Sequence, residues 1–249
     1  MIHPTALVDP AAALAEDVEV GPFTIVHAGV ELGAGSSVGA HCELGHPAVG
    51  ERGPLRIGPG ALIRSHSVLY AGSEFGAGLQ TGHRVTLREG IVAAEDLRVG
   101  TLGDLQGDVT IGRHVRLHSG VFVAKGAVVG DFVWVFPHVV LTDDPHPPSD
   151  GANAGVVLER FAAVAASAVL LPGVRVGEGA LVAAGTLVRT DVPAGMLCAG
   201  VPGTVRGPVD RVQLTDGSGP AYPWRRHFHR GYPDDVVREW TAEFGDPTD

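Results

Sequence analysis

Ile111-Gly-Arg-His-Val-Arg, Leu117-His-Ser-Gly-Val-Phe, Val123-Ala-Lys-Gly-Ala-Val and Val129-Gly-Asp-Phe-Val-Trp follow one another without a gap. Each block opens on an aliphatic residue and fills the rest with small, polar or turn-forming ones. Sampling every sixth position from Ile57 to Leu141 gives 15 residues, of which 12 are Ile, Leu or Val. Those three types make up 63 of the 249 residues, so chance would place roughly four there. A period of six belongs neither to an amphipathic helix nor to a half-buried strand, so a structural unit repeated at every turn must set it. The repeat predicts an all-β parallel β-helix, in which short strands and tight turns wind into a prism with one aliphatic rung per face.

The same phase runs from the start through Ile2, Val8, Leu14, Val20, Val26, Leu32, Val38 and Leu44. It slips at 45–56, a stretch rich in Gly and Pro that reads as a loop leaving one corner. A second loop is expected at 142–157, where three prolines forbid regular strand. Phase resumes at Leu158, Val164, Leu170, Val176, Val182 and Val188. The in-phase segments amount to 29 hexads, or nine to ten coils if three hexads close one turn. The expected organisation is a β-helix domain over 1–204 and a C-terminal extension over 205–249. In the extension, Asp234 and Asp235 suit a helix start, and Val236, Val237, Trp240 and Phe244 share one face. Because a solenoid end exposes strand edges, that helix is expected to act as a cap or a subunit clasp.

Bulk properties exclude several classes. A formal charge of −10 with no offsetting basic cluster argues against a nucleic-acid partner. Two cysteines, Cys42 and Cys198, point to a reducing compartment and not to a disulfide framework. No run of 18 apolar residues predicts membrane insertion, and Met1-Ile2-His3-Pro4 lacks a charged or apolar leader. The expected location is cytoplasmic.

Two segments resemble the hexapeptide-repeat (left-handed β-helix) acyltransferases, and the likeness covers roughly 1–207. Leu170 to Pro193, followed by Ala199-Gly200-Val201-Pro202-Gly203-Thr204-Val205-Arg206, is similar to the closing coils and Gly-x-Pro-Ala turn of the acetyl-CoA-dependent members, with Gly203 where the family has Ala. The resemblance implies an acyl-CoA, normally acetyl-CoA, as co-substrate and no permanently bound cofactor. It implies that coenzyme A lies in a groove between neighbouring subunits of a homotrimer, against Ala165, Ala183, Ala184, Gly200, Val201, Pro202 and Arg206. The second segment runs from Gly82 to Gly90, then Gly103 to Asp108, then Leu117 to Val121. It is similar to the sugar-modifying branch, which includes the lipid A glucosamine acyltransferases and the N-acetyltransferases of nucleotide-linked amino sugars. Where the lipid A enzymes carry a catalytic His before an Asp, this chain has Gly107 before Asp108. The amino-sugar N-acetyltransferases therefore resemble it better, and the implied reaction is direct attack of an amine on the thioester.

Such a transfer needs a groove for the donor, an acceptor held in line and a proton acceptor. His146 is one candidate base: Thr142 to Pro147 resembles the Thr-x-x-His-Pro loop of sugar O-acetyltransferases with one extra residue, and Asp144 would orient the ring. His118 and His83 are the other candidates. Residues 18 apart stack on adjacent coils, which puts Thr101 and Ser119 in the column of His83 and places Glu89 and Gln106 nearby. Arg84 and Arg88 with His114 are candidates for a substrate diphosphate, and His138 with Phe136 and Trp134 for the groove wall. Each of these polar residues also suits a solvated or self-bonded turn. An O-acetyltransferase using His146, a metal enzyme akin to the γ-carbonic anhydrases and a non-catalytic scaffold are the alternatives. No metal site is expected, because His114 and His118, four apart, do not return to the same face of a β-helix and lack a third partner at coil spacing.

Overall fold

A computed structural model of the protein describes residues 1–50, 52–146, 153–226 and 231–245. Most strands are only two residues long, one pointing outward and one inward, as the six-residue block allows. They stack into three parallel sheets, here called faces A, B and C. Face A has eleven strands from Glu19–Val20 to Thr204–Pro208, face B ten from Leu7–Val8 to Leu187–Val188, and face C nine from Ala13–Leu14 to Arg175–Val176. The chain visits A, B and C in turn, making a left-handed β-solenoid of about ten coils. Register advances by 18 residues per coil, as in Arg98↔Arg116 and Arg116↔Trp134, so each coil rises by about 4.8 Å.

The aliphatic rungs fill the prism. Leu69, Leu87, Leu105, Val123 and Leu141 stack through face B with no exposed surface. Most corners take one residue in the left-handed region. Between faces A and B that place is taken by Phe23, His41, His66, Arg84, Leu102, Gly120, His138, Ser167 and Gly185, at φ between 55 and 68°. Side chains other than glycine adopt this conformation at a cost of roughly 1 kcal/mol, which the hydrogen-bonded coils on either side impose.

The coils on either side of both irregular stretches stay paired: the register slips only at Leu69/Tyr70, where Tyr70 faces His46, and Val128↔Val157 and Val140↔Val169 flank the second stretch in step. His41 and His66, on either side of the first, stack with centroids 5.0 Å apart and planes 2° from parallel. The first loop is narrower than the sequence implies: strand Glu43–His46 runs into it and Leu55 opens the next strand. The second lies between Leu141 and Val157, and 147–152 fall outside the described residues. Sheet structure also passes the expected boundary at 204, because Met196–Ala199 pairs antiparallel with Thr204–Pro208.

The terminal helix, α1 (Asp234–Phe244), forms where its pattern predicts. It does not cap the solenoid end, however. Phe132 and Phe161 occupy left-handed positions at the corner between faces C and A, and their rings build a second apolar cluster with Trp224, Tyr232, Val236 and Trp240. Arg160 adds a bidentate bond to Glu243 (2.6 and 2.8 Å), and Arg113 pairs with Glu239. The extension is a side strap.

Candidate functional site

A cleft of about 500 Å3 opens on face A. Its floor is the column of outward residues just before each rung: Gln80, Arg98, Arg116 and Trp134 on successive coils. One wall is the A–B corner, with Gly82-His83, Gly100-Thr101 and His118-Ser119. The other is the strap, through Gly231 and Tyr232. Gly82 and Gly100 keep the corner open and closely stacked, since a Cβ on Gly82 would lie 2.2 Å from Thr101 N and one on Gly100 2.4 Å from Ser119 N.

The cleft is electropositive in an acidic protein. Arg64, Arg98 and Arg116 line it, together with His83 and His118, and among the described residues no carboxylate does. Asp96 sits behind it and organises the arginines: Arg116 Nη2 donates to Oδ2 at 2.5 Å, Arg98 Nε to Oδ1 at 3.2 Å, and His114 Nδ1 lies 2.9 Å from Oδ2. Burial alone would raise this carboxyl. The hydrogen bonds from His114 and Arg116 and the charges of Arg116 and Arg98 outweigh it and hold the pKa at about 2. Arg64 is fixed by donating from Nη1 to Thr81 O at 2.7 Å.

His118 stands where the charged floor ends. Its ring stacks on Phe136 (5.0 Å, 9°) and tilts against Trp134 (5.6 Å), and among the described residues neither ring nitrogen has a hydrogen-bond partner. Burial pushes its pKa below the ordinary histidine value, so at neutral pH it is an uncharged imidazole with a lone pair to offer.

From His118 toward the C-terminus the corner becomes small and apolar. His118, Phe136, Ala165 and Ala183 form one column, each N–H donating to the neighbouring coil at 2.8 or 2.9 Å. The track spans three coils, about 14 Å. Ala184 lies beside it, and it ends at the turn holding Gly200, Val201 and Pro202, where Arg206 Nε donates to Ala199 O at 3.4 Å. Gly203 also has a physical reason: its N–H donates to Leu187 O at 2.8 Å, and a Cβ there would approach that oxygen to 2.9 Å.

Other sequence candidates are dispersed. His83 lines the cleft, stacked over Thr101 as its spacing predicts, with its N–H donating to Thr101 Oγ1 at 3.2 Å. His138 is exposed at the same corner, three coils from Arg84 in the column that runs through Leu102 and Gly120. Arg84, Arg88 and His114, by contrast, occupy three different corners and do not converge. His114 is buried on Asp96 and Phe132 (5.2 Å). Glu89 and Gln106 are not beside His83 and His118; they lie at the B–C corner, where Arg88 clasps the buried Glu89 (3.2 and 3.1 Å) and reaches Gln106 at 3.4 Å. His146 and Asp144 follow face B as well, with His146 N donating to Asp144 Oδ1 at 3.0 Å, so this chain does not bring them to the cleft. Gly107 holds φ at 95°, and any Cβ would meet Glu89 O at 2.5 Å, so no side chain fits in place of Gly107 before Asp108. Arg98, Arg116, Asp96 and Tyr232 escaped the sequence reading. The first two were visible as one 18-residue column, whereas Tyr232 arrives from outside the repeat.

No family model matches the chain. Over 132 residues, 52% of the chain, it is 34% identical to an acyl-[acyl-carrier-protein]–UDP-N-acetylglucosamine O-acyltransferase of Saccharophagus degradans, 48% of which is covered. Over 86 residues, 34% of the chain, it is 44% identical to a 2,3,4,5-tetrahydropyridine-2,6-dicarboxylate N-acetyltransferase of Staphylococcus aureus, 35% of which is covered. The matches thus span about half or less of these curated relatives. Among solved structures, UDP-N-acetylglucosamine acyltransferases from Campylobacter jejuni (TM-score 0.58, 16% identity, 98% of this chain and 84% of that one) and Bacteroides fragilis (0.51, 18%, 100% and 87%) share the fold. In its six-residue repeat, in the three-sided solenoid that repeat builds and in the stretches shared with two acyl-transferring relatives, the chain is similar to the hexapeptide-repeat, left-handed β-helix acyltransferases.

Proposed function

We propose that the protein transfers an acyl group from acyl-CoA, in the first instance acetyl-CoA, to the amino group of a nucleotide-linked amino sugar. The observation that carries this reading is His118: an uncharged imidazole whose ring nitrogens have no partner among the described residues, standing between the arginine floor and an apolar track that narrows to alanines. The donor's pantetheine arm runs along Ala165 and Ala183 from the Gly200–Pro202 turn, and its thioester carbonyl stops at His118. The acceptor lies over Gln80, Arg98 and Arg116 with its anionic part on the arginines. As the acceptor nitrogen attacks the thioester carbon, His118 takes its proton. The tetrahedral intermediate then collapses, breaking the C–S bond, and the proton passes to the leaving thiolate. N-acylation is supported by the staphylococcal relative's name and a nucleotide-sugar acceptor by that of the Saccharophagus relative. No nucleophilic Ser or Cys is required, and both cysteines are buried.

The working unit we propose is a homotrimer. The outward column of face B is largely apolar, with Ile25, Val68, Phe122, Val140, Val169 and Leu187. Docking that face on a neighbour gives the donor track its second wall.

Thiol release from acyl-CoAs, and in parallel from acyl-carrier-protein thioesters, against amino-sugar nucleotides tests the reaction. His118→Ala is expected to lower kcat by about 10²–10⁴, while His146→Ala stays within a few-fold. A His146→Ala variant that loses turnover while His118→Ala keeps it would show the O-acetyltransferase reading to be the correct one. Failure of every thioester to release thiol would remove the acyl-transfer reading.

A further inference from the structure

We infer that the C-terminal strap is part of the acceptor site: Tyr232 positions Arg116 and Trp134 and so sets how the acceptor's anionic group is held. This rests on the reading of the face A cleft as an acceptor site.

Arg116 is 7% exposed and already committed on one side. Nη1 donates to Asp96 O at 2.5 Å and to Val115 O at 3.2 Å, and Nη2 donates to Asp96 Oδ2 at 2.5 Å. Three of its five N–H groups are spent and two remain for a ligand. What covers it is Tyr232, with the guanidinium carbon 5.3 Å from the ring centroid. The same side chain bridges to the next coil, since Trp134 Nε1 donates to Tyr232 Oη at 2.7 Å. One phenol thus ties together two adjacent members of the cleft floor. It excludes water from the cation, which strengthens the attraction of the remaining N–H pair for an anion.

Tyr232 is itself placed firmly. It is 8% exposed, meets Trp240 at 4.8 Å and Trp224 at 6.0 Å, and is anchored further by α1 through Glu239 and Glu243. Burial keeps the phenol protonated by raising its pKa. Its oxygen accepts from Trp134, yet among the described residues nothing accepts its own O–H. That proton is an unspent donor beside two unspent guanidinium donors, the set a phosphate or carboxylate takes.

Tyr232→Phe keeps the ring and removes both the acceptor for Trp134 and the free donor, and a thermal melt within a few degrees of wild type shows that it folds. In steady-state assays the acceptor KM is expected to rise about tenfold, with kcat and the KM for acyl-CoA within twofold. Trp134→Phe is expected to reproduce part of that rise, and the double variant to add little to the larger single effect. Titration of UDP as a nucleoside-diphosphate probe gives an arm independent of turnover, with an expected tenfold weaker Kd in Tyr232→Phe and a larger loss in Arg116→Gln. An unchanged acceptor KM and unchanged UDP affinity in Tyr232→Phe would overturn the inference and leave the strap a purely structural brace. UDP binding to wild type without thiol release would spare it and sink the acyl-transfer reading, whereas no UDP binding to wild type overturns the anion assignment.

Discussion

His118 shows how one side chain's surroundings set its chemistry. The Phe136 ring and the flank of Trp134 desolvate the imidazole, so its charged form is disfavoured and its pKa falls. A general base must be neutral to work, and a lowered pKa keeps it neutral further into acid. The acid limb of the kcat/KM profile is therefore expected below the ordinary histidine value of about 6.5. Phe136→Ala, by letting water reach the ring, is expected to move that limb upward. A profile that does not move would show that the limb belongs to another group. His146 carries the more familiar-looking sequence context, Thr142 to Pro147, yet sits with its N–H on Asp144 at a different corner. Motif similarity measured along the chain says nothing about which corner of the prism a residue occupies.

At the scale of the element, the unit is the column. Reading every eighteenth residue is enough to predict that His83 stacks on Thr101 and Ser119. The error over Glu89 and Gln106 came from a finer question, which of three corners each residue turns, and one hexad changes the answer. The Asp96 column shows what a corner can store. Asp96, His114, Phe132 and Phe161 take the left-handed place on four successive coils, going from a carboxylate that holds two arginines to rings that hold the strap. Because the folded-state pKa of Asp96 is depressed to about 2 from an unfolded value near 3.8, its contribution is fully present above about pH 5. It is lost as pH falls from there through about 2, and amounts to about 2 kcal/mol. Urea unfolding at pH 7 and pH 2.5 is expected to show this loss in the wild type and a smaller one in Asp96→Asn. Equal losses in both would assign the acid sensitivity elsewhere.

For the whole molecule, the legible part was the part made by repetition. Coil number, rung identity and loop sites all follow from a six-residue phase that every coil must obey to stay stacked. The strap was legible only as a helix: α1 was expected at its observed bounds but on the solenoid end, because nothing in the pattern of Val236, Trp240 and Phe244 tells a terminal edge from the Phe132–Phe161 flank. Assembly belongs to this scale too. With 25.7 kDa per chain, sedimentation of the proposed homotrimer should report about three times that mass, and Phe122→Asp together with Val140→Asp on face B is expected to yield single chains lacking turnover. A fully active lone chain would remove the shared-wall proposal.

Beyond the single slip at Tyr70 the stack keeps step past both irregular stretches, so that His41 still meets His66 ring to ring across the first of them. In a scaffold of this kind a corner acts as a port: the chain can depart after His46 and return at Leu55 with only a local slip at Tyr70 in the coil above.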